Sequence, residues 1–120
     1  MLILNYTVKE DKYENQYLEF LSHIKEQPAL IIGKASLFRL AFFMSGYEYA
    51  FQELTGYRLW FNKEFQSFIE NAFSASGTQH WEKIISLGKT DEEAFFSFFA
   101  LLEEYRKKVY PDNMGDGTLY

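Results

Sequence analysis

At 120 residues with 48% hydrophobic content, the chain is long enough for one domain with a core of its own. The absence of cysteine excludes a disulfide framework and a thiolate metal site, and a net charge of −5 argues against nucleic-acid binding by the usual electrostatic route. The opening MLILNYTVKEDK has too short an apolar run, and acids too early, for a signal peptide, and no stretch approaches the roughly 18 apolar residues of a membrane span, so a cytoplasmic protein without a membrane partner is expected.

Residues 2–8 alternate loosely (Leu2, Leu4, Tyr6, Val8), which fits a short strand or an extended lead-in. A first helix is predicted from about Asp11 to Gln27, with Tyr13, Tyr17, Phe20, Leu21 and Ile24 at helical spacing and Pro28 ending it. The run ALII at 29–32 reads as a buried connection, conceivably a strand beside residues 2–8.

Ser36 is a natural N-cap for a second helix ending near Gly56. Leu37, Leu40, Ala41, Phe43, Met44, Tyr47, Ala50, Phe51 and Leu54 form one wide apolar arc, and Phe38, Phe42 and Tyr49 lie opposite it. A helix apolar nearly all round is expected to be central and covered on both sides. Gly46 costs such a helix roughly 1 kcal/mol against Ala, and another helix passing close would explain it most simply.

After a loop at 57–61, Asn62 is expected to cap a third helix with Phe65, Phe68, Ile69, Ala72 and Phe73 inward, and SASG at 74–77 to break it. Thr78 is expected to cap a short fourth helix carrying Trp81, Ile84 and Ile85, closed by Gly88. The fifth helix opens on TDEE, a capping box at 90–93, and closes on Arg106, Lys107 and Lys108. Glu103 with Lys107, and Glu104 with Lys108, are spaced for i, i+4 support. The expected fold is all-α, a compact bundle of about five helices over residues 1–110, with a loose tail at 111–120. Its core should hold Leu37, Leu40, Met44, Phe51, Phe65, Ile69, Trp81, Ile84, Phe95, Phe98 and Leu102.

No constellation for catalysis emerges. His23 and His80 lack ligand spacing, the glycines read as caps and turns, and Ser36, Ser45 and Ser97 have no nucleophile context. No enzyme activity, metal or cofactor is expected. Binding is better served. Phe96 falls outside the apolar arc of the fifth helix, in a neighbourhood of Glu92, Ala100, Glu103 and Lys107. It reads either as an interface anchor with a polar rim or as a residue packed under a loop or the tail. The loop GYRLWF offers Tyr57, Arg58 and Trp60, residue types common at binding hot spots, although Trp60 also reads as core.

The segments GKASLFRLAFFMSGYEYA, WFNKEFQSFI and HWEKIISLGKTDEEAFFSFFALLEEY carry a skeleton of Ser36-Leu37, Leu40, Phe43, Gly46-Tyr47, Phe61, Phe65, Trp81, Ile84 and the run Asp91–Leu102. Over roughly residues 33–106 the chain resembles the small immunity proteins of bacterial contact-dependent growth inhibition and related polymorphic-toxin systems. The resemblance implies stoichiometric inhibition of a cognate toxin domain, an RNase or other nuclease with a basic cleft being the expected target. An acidic inhibitor with aromatic anchors suits such a cleft. On this reading Glu92, Phe96 and Glu103 are the expected binding patch, followed by Glu48 and Glu53 of the second helix. The protein itself is expected to be a monomer or weak dimer. The alternatives are a helical adaptor or dimerisation module and, least favoured, an enzyme or small-molecule binder with a cavity between helices.

Overall fold

In the computed structural model, residues 8–75, 77 and 79–111 are described, and they form six helices with no strand among them. These are α1 (Asp11–Glu26), α2 (Pro28–Ile31), α3 (Leu37–Thr55), α4 (Phe61–Ala72), α5 (Trp81–Ser86) and α6 (Asp91–Val109). The expected strand at 2–8, Val8 apart, lies outside the described residues, as do Thr78 and positions 112–120 of the tail.

The extra helix, PALI, takes in most of ALII. Pro28 does stop α1, but it also occupies the first turn of α2, where its missing N–H costs nothing and its fixed φ suits a helix. The buried strand considered for residues 29–32 is thereby corrected. Ala29 and Leu30 face solvent, and only Ile32 just beyond the helix is buried.

Helix α3 begins and ends as its sequence requires. The Ser36 hydroxyl accepts from the Arg39 amide at 3.0 Å, and Gly56 closes the helix at φ 79°, a conformation open to glycine. Its buried face, Leu37, Leu40 and Met44, packs toward α6 and α5. Helix α6 supplies the largest buried stripe: Ala94, Phe95, Phe98, Phe99, Leu102 and Tyr105. The centre of the molecule is aromatic. Phe65 meets Trp81, Phe98 and Tyr105 edge-on at 5.3, 5.4 and 5.5 Å between ring centroids, arrangements that favour aromatic pairs beyond area burial alone. Of the expected core, Phe51 alone is only partly buried; it packs edge-on against Tyr13 at the margin.

Three expectations are corrected by the packing. Helix α4 starts at Phe61 with Trp60 as its cap residue, so Asn62 is no N-cap; its side chain instead accepts the Trp81 indole N–H at 2.8 Å. His80, in an extended conformation, caps α5 by accepting from the Glu82 amide at 3.3 Å. The expected pairs Glu103–Lys107 and Glu104–Lys108 are not closed, and the ion pair formed among the described residues is Lys9–Glu64 at 2.9 Å. Solvated side chains gain little from such surface pairing.

Candidate functional site

Two surfaces combine exposed aromatics with polar groups. The first is the outer face of α6. Its start is fixed by the capping box: the Thr90 hydroxyl accepts from the Glu93 amide at 3.1 Å, and the Glu93 carboxylate accepts from the Thr90 amide at 2.9 Å. With the apolar stripe buried, helical geometry leaves Glu92, Phe96, Ala100, Glu103 and Lys107 on the opposite side, and all five are exposed. Phe96 is 50% exposed and leans edge-on against buried Phe95 at 5.1 Å, so it is not packed away under a loop. Glu92, Phe96 and Glu103 thus share one exposed face, with Glu92 one turn before the ring and Glu103 about two turns after it, about 10 Å along the axis. The side chains lining the shallow hollow beside Phe96 are Lys89, Glu93, Ser97 and Ala100.

Glu48 and Glu53 part company. Glu53 is exposed on α3, whereas Glu48 turns into an open groove of about 790 Å³ between α3, the segment 58–60 and α4. Burial pushes the Glu48 carboxyl up from its ordinary pKa, and the nearby Glu14 charge adds to this. The Tyr17 hydroxyl, donating to Glu48 at 2.6 Å, pulls the other way. Glu48 is a wall of this groove and not a rim acid beside Glu53.

Tyr49 and Trp60 line the same groove. Trp60 corrects its expected place in the core, being 38% exposed. Between Tyr57 and Phe61 the side chains alternate, with 57, 59 and 61 buried and 58 and 60 outward. A period of two in YRLWF was the available signal for an extended segment with Trp60 on its outer side. Glu14 of α1 holds this segment in place. Its buried carboxylate accepts from the Tyr57 hydroxyl at 2.5 Å and from the Trp60 amide at 3.0 Å, while the Tyr57 oxygen accepts from the Glu10 amide at 2.9 Å. Nothing in the local pattern of α1 announced a buried acid there.

The second surface is the solvent side of α3. Phe38, Phe42 and Tyr49 are 56%, 66% and 68% exposed, so this helix is covered on one side only. Phe38 and Phe42 stack edge-to-face at 4.9 Å. Gly46, expected to lie against another helix, has no described residue of another element within 4 Å of where a Cβ would stand.

Comparison with protein-family models, with curated proteins and with solved structures gives no match. Among the described residues, no three His, Cys, Asp or Glu side chains gather where they could hold a metal ion, and no helix is long and apolar enough to cross a membrane.

Proposed function

We propose that this protein is a stoichiometric inhibitor of the immunity-protein kind, which binds a cognate toxin domain and blocks its basic active cleft, an RNase or other nuclease domain being the target class. The observation that carries this reading is Phe96, half exposed on a rigid helix with Glu92 and Glu103 on the same face. Central aromatics with polar rims contribute most of the binding energy at protein interfaces, and rim carboxylates steer a basic partner toward the correct encounter. The −5 net charge adds to that steering, and the resemblance of the skeleton from Ser36 to Leu102 to immunity proteins supports the same reading.

This reading expects a large toxin gene immediately upstream, and co-expression with the toxic domain it encodes tests the proposal. Restored growth together with an equimolar complex is expected. Undiminished toxicity and no complex would rule the inhibitor reading out.

A further inference from the structure

The solvent side of α3 has features that the toxin reading does not use. Arg39, Phe42, Gly46, Tyr49 and Glu53 recur at alternating intervals of three and four residues, and all five are exposed. That spacing is a helix–helix seam, opposite the buried face of Leu37, Leu40 and Met44. At its middle, Gly46 lowers the helix's own stability, and a Cβ there would meet no described side chain or other element within 4 Å. A small residue at that point lets a second backbone come close. Arg39 and Glu53 lie equally far from it, seven residues to either side, about 10 Å along the axis at the usual rise.

We propose that the α3 face is a homodimer seam, in which two copies of this chain cross antiparallel about a two-fold axis at Gly46. The charge pattern selects a second copy as the occupant. Two-fold symmetry about Gly46 sets Arg39 of one copy opposite Glu53 of the other, twice over. Neither charge has an ionic partner among the described residues of its own chain; Arg39 donates one hydrogen bond, to the Ile32 carbonyl at 3.1 Å. An antiparallel copy thus answers both ends of the stripe at once, and an unrelated helix would have to match them independently. A contact made by one helix per copy falls at the low end of specific interface sizes, so the dimer is expected to dissociate at about 10–100 μM.

Sedimentation equilibrium of the purified full chain, without any partner, from about 5 μM to 1 mM tests this. A monomer–dimer equilibrium is expected. Glu53→Arg, which puts two cations opposite each other at both ends, should weaken it at least about tenfold. The swapped double variant Arg39→Glu/Glu53→Arg should restore it to within about threefold of wild type. Phe42→Ser, on an exposed position, should weaken it without altering the helical circular-dichroism signal, which covers the case in which replacing Arg39 disturbs the turn at Ile32. A strictly monomeric wild type, or a dimer indifferent to both Glu53→Arg and Phe42→Ser, overturns the proposal. A failed double swap with Glu53→Arg disruptive overturns the antiparallel register. The α6 patch that carries the toxin reading is untouched by any of these outcomes, because they are read without a toxin, and Glu53 is only a second-ranked acid of that reading.

Discussion

Asp91, the first residue of α6, accepts a hydrogen bond from the hydroxyl of Ser36, the cap residue of α3. It also accepts from the Phe38 amide at 3.0 Å, so one carboxylate joins the starts of two helices distant in sequence. A negative charge at a helix N-terminus meets the positive end of the helix dipole and otherwise unpaired N–H groups. Burial works to raise the Asp91 pKa, but the bonds from Ser36 and from the Phe38 and Leu37 amides, with the Lys34 charge, bring it below the ordinary value.

From this follows a pH-dependent stability. A folded pKa below the unfolded one means the contribution is fully present above the ordinary aspartate range and is lost as pH falls through the folded value. Asp91→Ala should cost about 1 kcal/mol near neutral pH. In urea melts across an acid series, the gap between wild type and variant should close toward the acid end.

Glu48 should behave oppositely. Its pKa is raised, chiefly by burial, so its favourable contribution is present below the ordinary glutamate value and fades as pH rises through the folded one. Glu48→Gln keeps an acceptor for the Tyr17 hydroxyl and removes the charge. The variant is expected to melt at a higher temperature than wild type at neutral pH, with the advantage vanishing in acid. Thermal melts at several pH values measure it.

The aromatic centre carries the fold. Trp81 and Phe98 are fully buried and stack at 5.2 Å. Truncating either to Ala should cost about 3–5 kcal/mol and leave little folded protein at physiological temperature. Circular dichroism with denaturant titration gives the number.

Gly46→Ala should do the reverse for the isolated chain. The added methyl meets no atom within 4 Å, and the helix gains about 0.5–1 kcal/mol. Equilibrium unfolding of dilute protein is the measurement.

On α6, Glu92→Lys/Glu103→Lys should slow association with the cognate toxin domain and flatten its salt dependence, while Phe96→Ala should speed dissociation by a factor matching about 2 kcal/mol. Both should leave the fold intact, since all three side chains are exposed. Stopped-flow or surface-based kinetics separate the two effects, and unchanged kinetics in the double reversal would place the binding site elsewhere.

Local pattern sufficed for the helices with a strong 3.6-residue period or a complete cap: α3 between Ser36 and Gly56, and α6 behind its TDEE box. It also determined most of the core, because burying apolar area is the dominant driving force and a periodic stripe tells which side is buried. Within α6, the same logic placed Glu92, Phe96 and Glu103 opposite that stripe. Whether a second apolar side of a helix is covered depends on how the helices pack. Phe38, Phe42 and Tyr49 are as hydrophobic as core residues, and their exposure depends on where other helices stop, which no local pattern records. Tertiary packing likewise buried Glu14 against Tyr57 and the Trp60 amide, and turned Glu48 toward Tyr17. A buried carboxylate is tolerable only where donors converge on it, and those donors come from segments more than 30 residues away along the chain.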